Sequence, residues 1–193
     1  IDSDPQLASD PRTDTAAIHL VYAGGGWTVV GSAQLDGRVA KTPMAWTSSD
    51  GATWRRQQVP YGDSYEDLQR VAGYGDGLVA VGLRGNAYGV WHRTGDRWRR
   101  GATFGGFDSD GKAAPFVSGL AVWQRGLVVG VSDSAKHRLW HSPDGTSWRE
   151  VTPPAKVGVG GEKVMSMATA GSTLVLLTDN ADGSTVWLTD QLR

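Results

Sequence analysis

Four histidines are the side chains that could act as metal ligands or as a general base. His92 and His141 each directly follow a tryptophan, but a repeat in the chain aligns this position with Thr47 and Leu188. A position that accepts threonine and leucine has a structural role, so we expect neither histidine to bind a metal. His137 lies in a polar stretch and is expected to be solvated.

Acidic turns are the second place where a metal could bind. Residues 108–111 alternate carboxylates with a glycine, as in half of a calcium loop, but Lys112 and Ala113 follow where a distal acidic ligand is needed. The chain has no cysteine, which excludes thiolate ligands and cysteine nucleophiles. The sequence therefore predicts no metal site, no cofactor and no catalytic residue.

Loop residues are the stronger candidates for binding. Phe104 and Phe107 flank two glycines in a flexible connection, where the two rings either face a partner or pack between neighbouring repeats. Long irregular loops on a rigid scaffold concentrate binding residues, and exposed aromatic rings beside arginines suit a protein or sugar surface. The expected binding face consists of Arg38, Lys41, Tyr61, Tyr65, Arg84, Phe104, Phe107, Lys136 and His137.

These residues are positioned by a sequence unit that recurs four times from residue 16 onward. Each unit has an apolar run, a glycine-containing turn, a β-branched run and a third run that carries a tryptophan. In the first three units a fourth run follows, which begins at Trp54, Trp98 or Trp148. These tryptophans are Trp46, Trp91, Trp140 and Trp187, which lie 45, 49 and 47 residues apart. Four short strands per unit at a period near this value are typical of a β-propeller, in which each unit is one blade.

The predicted fold class is therefore all-β, a β-propeller with four blades of about 47 residues whose last blade lacks its outer strand. Residues 1–15 are rich in Asp, Pro, Ser and Thr and are expected to form an extended lead-in without regular structure. The predicted blades span approximately residues 16–63, 64–112, 113–160 and 161–193. The last blade stops where its final turn should begin, so the chain should hold about fifteen of sixteen strands.

The first strand of each blade should line the central channel of such a propeller. One position of this strand is occupied by His19, Arg70, Ser118 and Met165 in the four repeats. We expect these four side chains to form a ring around the axis that faces channel water.

Two tight turns share one sequence pattern, with the same residue types at the same spacing. They contain Ser48, Asp50, Gly51 and Trp54 in one copy and Ser142, Asp144, Gly145 and Trp148 in the other. Asp and Gly tolerate a sharp chain reversal, and Asp or Ser side chains can bond the amides inside it. The turns resemble the Asp-box, the hairpin motif of sialidase-like (BNR-repeat) propellers, although both are one residue shorter than that consensus.

The blade period extends this resemblance over about residues 16–190. It implies that a working enzyme would offer three arginines for a substrate carboxylate, a Tyr–Glu pair as nucleophile and base, and an Asp as acid. Tyr61 or Tyr65 with Glu66 could supply the pair, but we favour an ordinary surface connection there. The Arg-Ile-Pro signature of sialidases is absent from this sequence. The family's enzymes also have six blades, so we expect the scaffold without the catalytic set.

The composition limits the kinds of partner that the chain is expected to bind. A formal net charge of −1 gives no global field to attract nucleic acid or an anionic membrane. No apolar run reaches the length of a membrane span. Residue 1 is Ile rather than Met, so we expect a processed or trimmed chain whose export signal would have been lost, and a secreted or cell-envelope location.

The leading hypothesis from the sequence is a non-enzymatic, extracytoplasmic propeller that binds a protein or a carbohydrate on its loop face, or serves as a scaffold. One alternative is a divergent sialidase-like glycoside hydrolase. The other is a subunit that completes a larger propeller or assembly by strand pairing. Unpaired sheet edges invite pairing with another chain, so a second copy, a partner or further sequence should complete the fourth blade.

Overall fold

The structure, a computed structural model, describes residues 4–107, 114–133, 136–154, 165–180 and 183–192. Within these ranges the chain contains fifteen β-strands and no helix. The strands form four antiparallel sheets, each a meander in which strands adjacent in sequence are adjacent in the sheet. Three sheets have four strands and the last has three, so the prediction of an all-β chain with an incomplete last blade is confirmed.

Each sheet contains the strands of one sequence repeat. Sheet 1 contains β1 (Thr13–Ala23), β2 (Gly26–Leu35), β3 (Thr42–Ser48) and β4 (Arg55–Gln57). Sheet 2 contains β5 (Arg70–Tyr74), β6 (Gly77–Arg84), β7 (Ala87–Thr94) and β8 (Arg97–Gly106). Sheet 3 contains β9 (Phe116–Trp123), β10 (Gly126–Ser132), β11 (His137–Ser142) and β12 (Arg149–Val151). Sheet 4 contains β13 (Met165–Ala170), β14 (Thr173–Asn180) and β15 (Gly183–Thr189).

The chain divides into two compact units, Ile1–Thr103 and Phe104–Arg193. In the first unit, Val30 and Ala45 of sheet 1 share an apolar core with Val71 and Trp91 of sheet 2, and all four are essentially buried. Burying a large apolar side chain contributes roughly 1.5–3 kcal/mol, so this core holds the two sheets together. No described segment forms a helix with the length and apolarity that crossing a bilayer requires.

The second unit is built in the same way. Val128 and Leu139 of sheet 3 share a core with Leu174 and Leu176 of sheet 4, all four fully buried, and Trp187 packs against it. In both units the core therefore lies between two sheets, and the first strands of those sheets, β1 with β5 and β9 with β13, lie side by side.

The second strand of each sheet explains the β-branched runs of the sequence. Every residue of β10 is buried, and β6 is buried at all positions except its two ends. A strand covered on both faces reads as a continuous apolar run rather than as an alternation, and valine fits the pleated surface well.

Both turns with the repeated pattern fold alike. In the first turn, which joins β3 to β4, Asp50 Oδ1 accepts hydrogen bonds from the amides of Ala52 and Thr53, both at 2.8 Å, and Ser48 Oγ accepts one from Gly51 N at 2.8 Å. The second turn joins β11 to β12 and repeats this network. There, Asp144 Oδ1 accepts from the amides of Thr146 and Ser147, at 2.8 and 2.7 Å, and Ser142 Oγ accepts from Gly145 N at 2.8 Å. Gly51 and Gly145 both have φ of 75°, the left-handed region that favours glycine.

The lead-in is more ordered than the sequence predicts. Strand β1 begins at Thr13, before the expected start at residue 16. Upstream of it, Gln6 O accepts a 2.7 Å hydrogen bond from Trp46 Nε1, and Leu7 packs on the face of sheet 1 that carries Trp46. Composition alone could not show this, because the order comes from covering an apolar face that lies some forty residues away in sequence.

Candidate functional site

The connection between β4 and β5 brings together the binding residues that the sequence predicts in the first unit. Glu66 N donates to Lys41 O at 3.0 Å, which ties this connection to the loop between β2 and β3. Gly85 N donates to Tyr65 O at 2.9 Å, and Glu66 forms a β-bridge with Arg84 at the end of β6. We call this end of sheets 1 and 2 the loop end.

Tyr61 lies exposed at the loop end beneath a guanidinium. The Arg38 Cζ atom is 5.0 Å from the centre of the Tyr61 ring, and Arg38 Nη2 donates to Gly62 O at 3.0 Å. A cation over an aromatic ring is attracted by the ring quadrupole, typically by about 0.5–1 kcal/mol at exposed sites. The hydrogen bond and the ring together hold the Arg38 side chain against the connection.

Tyr65 is the second exposed ring. Its hydroxyl donates to Asp67 Oδ2 at 3.2 Å, while 38% of the residue stays exposed. Burial of the hydroxyl, together with the negative charge of Asp67, raises the pKa of Tyr65 to about 12. We call Tyr61, Tyr65 and Arg38 the tyrosine patch.

Two buried carboxylates directly follow Tyr65 of the tyrosine patch in the chain. Glu66 is fully buried, and its Oε1 accepts from Arg100 Nη2 at 2.6 Å and from Gly62 N at 3.1 Å. Asp67 is 3% exposed, and its Oδ1 accepts from Leu83 N at 2.8 Å. We call Glu66 and Asp67 the acidic anchor, since their oxygens fix the backbone that carries the two tyrosines.

Burial also affects the pKa of the second member of the acidic anchor. Burial raises the pKa of Asp67, and hydrogen bonds from Gln69 Nε2, Leu83 N and Tyr65 oppose this rise. Burial and the positive charge of Arg100 lower the pKa of Arg84, whose Nη1 donates to Gly101 O at 3.0 Å.

The sequence placed five residues of the loop end on its predicted binding face, but not the residues that support them. It identified Arg38, Lys41, Tyr61, Tyr65 and Arg84. It did not foresee that Asp67 and Arg100 support them. Arg100 is 34 positions from Glu66, and no local spacing connects an acid in a connection with an arginine on a later strand.

The tyrosine–carboxylate geometry departs from the nucleophile that the resemblance implies. Tyr65 bonds Asp67 rather than Glu66, and a pKa near 12 makes its oxygen harder to deprotonate than that of free tyrosine. Glycosidic cleavage ordinarily requires carboxyl groups on both sides of the bond, whereas Glu66 and Asp67 are both closed to solvent.

The remaining predicted binding residues lie in the second unit. Phe104 is 6% exposed and Phe107 is 9% exposed, so both rings are buried and their interpretation as exposed binding residues is wrong. Phe104 stacks on Trp148 with centroids 4.2 Å apart and an angle of 16° between the planes. The reason is that β8 continues to Gly106, so Phe104 lies on a strand rather than in an exposed connection.

His137 also differs from its prediction, while Lys136 stays exposed. His137 is 7% exposed rather than solvated, because it begins β11 and pairs with Ser132 of β10. The neighbouring charges are Asp133 and Arg138, which form a 2.9 Å ion pair. These residues form a packed strand end, with Lys136 as the exposed member.

The four positions expected around the axis are unequal. His19 Nδ1 accepts from Val71 N at 3.3 Å, and burial, followed by the charge of Arg70, lowers the pKa of His19. Ser118 is 7% exposed. Met165 is fully buried in the core of the second unit, which differs from the expected exposure to channel water. A ring formed by all four residues remains a prediction.

No group of three metal-binding side chains comes together within the part of the chain that the structure describes. His92 and His141 are half-buried, and burial with the nearby Arg149 lowers the pKa of His141. The acidic turn at residues 108–111 lies outside the described residues.

Comparison with known proteins shows the fold. No family model matches the chain, and no curated protein matches it significantly. Among solved structures, a glycosyl hydrolase from Bacteroides ovatus is 15% identical with a TM-score of 0.58, over 87% of this chain and 61% of its own. The Aleuria aurantia lectin, a six-bladed β-propeller that recognises fucose, is 13% identical with a TM-score of 0.56, over 94% and 60%.

The chain has a β-propeller fold. A GH43 endo-arabinanase from Bacillus licheniformis is similar as well, at 11% identity and a TM-score of 0.54, over 91% of this chain and 72% of its own. The chain spans about three fifths of the length of the Bacteroides hydrolase and of the lectin. None of these three structures is described as a sialidase, so the Asp-box resemblance of the two turns remains a prediction.

Proposed function

We propose that this propeller is a non-catalytic carbohydrate-binding module that holds glycans at the tyrosine patch. The observation that carries the proposal is the pair of exposed rings, Tyr61 and Tyr65, fixed in place by Arg38 and by the acidic anchor. The fold is shared with a fucose-recognising lectin and with glycoside hydrolases, which supports a sugar ligand at the level of fold alone.

The physical argument is preorganisation. A sugar ring presents C–H groups that pack on aromatic faces, and its hydroxyls accept hydrogen bonds from a guanidinium. Tyrosine offers a large contact area with little rotamer entropy to lose, and a hydroxyl tied to Asp67 leaves less still. Binding to a ring that is already held in place loses less conformational entropy than binding to a ring that the ligand must order.

The absence of catalysis is part of the same proposal. Both carboxylates of the site are buried and engaged in supporting the backbone, so neither is available to protonate a leaving group or to attack a sugar. We propose an extracytoplasmic location for the module, and a protein ligand at the same patch is the alternative to a glycan.

The experiment is a glycan array with the labelled chain, followed by calorimetric titration of the best glycan. Tyr61→Ala should weaken binding by about tenfold or more, because aromatic anchors dominate such interfaces. The matched control is Tyr22→Ala, a similarly exposed tyrosine on β1 outside the patch, which should leave affinity unchanged. No glycan bound on the array, or equal losses in both variants, would refute the proposal.

A divergent glycoside hydrolase is the second candidate function. The observation that favours it is the 3.2 Å hydrogen bond between Tyr65 and Asp67, which places a base beside a hydroxyl nucleophile. Fluorogenic glycosides, including sialosides, distinguish the two candidates. Turnover that disappears in Tyr65→Phe would establish the enzyme, and no turnover at high protein concentration leaves the binding module.

The third candidate is a subunit that completes a larger propeller or assembly. Its support is the outer strand of sheet 4, β15, which is the edge of a three-stranded sheet where the other sheets have a fourth strand. A second copy of this chain or a partner chain would pair with that edge.

A further inference from the structure

A groove opens between sheets 1 and 2 at the end opposite the tyrosine patch. We call this the hairpin end, where β1 turns into β2 and β3 turns towards β4. The groove has a volume of about 510 Å³, which lies in the range of small-molecule sites. Its walls include Trp27, Thr28 and Thr47 of sheet 1, and Arg93 of β7 in sheet 2.

The groove exists because the apolar core between the two sheets ends there. A Cβ placed on Gly73 would lie 3.1 Å from the Ala23 Cβ, so the sheets touch closely at that level. Beyond it, one face of sheet 1 carries a polar row in register, with Thr28 opposite Thr47 and Thr47 opposite Arg55. Because these polar side chains lie on a face that is apolar elsewhere, the groove stays open to water.

Two guanidinium groups face this groove. Arg93 Nη2 bonds Asp96, a side chain that is 92% exposed, and Arg93 Nη1 reaches Thr28 Oγ1 at 3.4 Å. Arg93 Nε is buried and has no hydrogen-bond partner among the described residues. Arg55 is exposed and lines the same groove. Because Asp96 is almost fully exposed, solvent screens its attraction to Arg93, and this ion pair competes weakly with an incoming anion.

The carboxylate that lines the groove is already engaged. Asp50 Oδ1 accepts hydrogen bonds from two turn amides and from the Ser48 hydroxyl. Those bonds tie its charge to the turn. The lining therefore offers two cations against one internally satisfied anion, which favours a ligand that carries a single negative charge.

We propose that the groove binds a carboxylate-bearing sugar unit, such as a hexuronate, with its carboxylate on Arg93 and Arg55. Guanidinium groups recognise carboxylates through paired hydrogen bonds. The Trp27 ring and the threonine hydroxyls supply an apolar face and hydrogen-bonding partners for the sugar ring. This site shares no residue with the tyrosine patch and does not rest on the function proposed there.

The test is calorimetric titration of the full chain with methyl β-glucuronide, with its neutral counterpart methyl β-glucoside and with glucose 6-sulfate. The glucuronide should bind at least about tenfold more tightly than the glucoside, and added salt should weaken that difference. Arg93→Gln should weaken glucuronide binding by about tenfold or more. Arg97→Gln, an exposed arginine of β8 outside the groove, is the matched control and should leave it unchanged.

Arg55→Gln provides a second variant, because its exposed side chain can be replaced even where Arg93→Gln impairs folding. Equal affinity for the glucuronide and the glucoside would overturn the proposal, as would no detectable binding of the glucuronide. Tighter binding of the sulfate than of the glucuronide would overturn the carboxylate assignment. An equal loss in Arg97→Gln would show attraction to general positive charge and would also overturn it.

Discussion

Carboxylates at the residue scale serve two structural purposes in this chain. Asp50 and Asp144 are exposed, and the amides of their own turns surround them. Glu66 and Asp67 are buried and hold the connection between β4 and β5 in place. The first pair stabilises local backbone, whereas the second pair links segments that are far apart in sequence. The two pairs should therefore respond differently to pH and to substitution.

The turn aspartates predict a pH dependence of stability. Hydrogen bonds from the amides of Thr53 and Ala52 lower the pKa of Asp50 from 3.8 to about 2, and the equivalent bonds lower the pKa of Asp144 further. A folded-state pKa below the unfolded value gives stability that is present above the unfolded value and lost as pH falls through the folded one. The melting temperature should therefore fall between about pH 4 and pH 2.

Asp50→Asn should lower the melting temperature at neutral pH and flatten the acid limb of the curve. Asp76→Asn, in the turn between β5 and β6, is the control and should reproduce the wild-type profile. A melting profile of Asp50→Asn parallel to wild type from neutral pH to about pH 2 would contradict the prediction.

The acidic anchor predicts a pattern of unequal losses. Arg100→Gln leaves Glu66 as an uncompensated buried charge and should destabilise the fold by about 3 kcal/mol. Glu66→Gln keeps the shape and frees an arginine that can reach water, so it should cost about 1–2 kcal/mol. The double variant should be more stable than Arg100→Gln alone. Urea unfolding of the four proteins measures this cycle, and additive losses would show that the pair is not coupled.

Individual residues also show which contacts can be predicted from the sequence. The two Asp turns were predictable because serine, aspartate and glycine act on amides within a few positions of themselves. The sequence left the burial of Phe104 open and did not predict that of His137, because both depend on how far β8 and β11 extend. The ion pair of Glu66 with Arg100 leaves no local trace either.

At the scale of elements, a glycine in the second strand allows the connection that carries the tyrosine patch to approach the sheet. A Cβ placed on Gly82 of β6 would lie 2.0 Å from Asp67 O, and the equivalent Gly31 of β2 would place one 1.8 Å from Ala16 O. Backbone atoms cannot yield as a flexible side chain can. The repeated glycine after the β-branched run is therefore required by close packing of backbone on backbone.

Gly82→Ala should destabilise the first unit by about 3 kcal/mol and weaken ligand binding at the tyrosine patch, since the displaced segment carries Tyr65 and the acidic anchor. Gly95→Ala is the control. It has open space around the added carbon but a φ of 56°, so it should cost only about 1 kcal/mol and leave binding intact. Chemical unfolding and titration of the best glycan give the two readouts. A smaller loss for Gly82→Ala than for Gly95→Ala would contradict the argument.

The elements themselves were predictable from the sequence because each strand is a short apolar run bounded by turn residues. All fifteen strands fall in the expected order. What the sequence could not supply was their extent. Strand β1 starts at Thr13 and β8 ends at Gly106. Packing against residues that are distant in sequence stabilises both extensions.

At the scale of the whole molecule, sheet 4 leaves an apolar face uncovered. Leu177 and Val186 are paired across β14 and β15, and they are 40% and 60% exposed. The equivalent pair in sheet 1, Val30 and Ala45, is completely buried by the core of the first unit. The two repeats thus differ at this face, and the third candidate function predicts that a partner covers it in sheet 4.

The simplest partner is a second copy of the chain, paired along the free edge of β15 and covering Val186 and Leu188. Sedimentation velocity over a range of concentrations should then show reversible association. Val186→Lys with Leu188→Lys should abolish it, because a charge in an apolar interface must be desolvated without a counterion. Thr185→Lys, an exposed position of the same strand that points to the other face, should weaken it far less. A monomer at every concentration would exclude self-pairing and leave a different chain as the occupant of this edge.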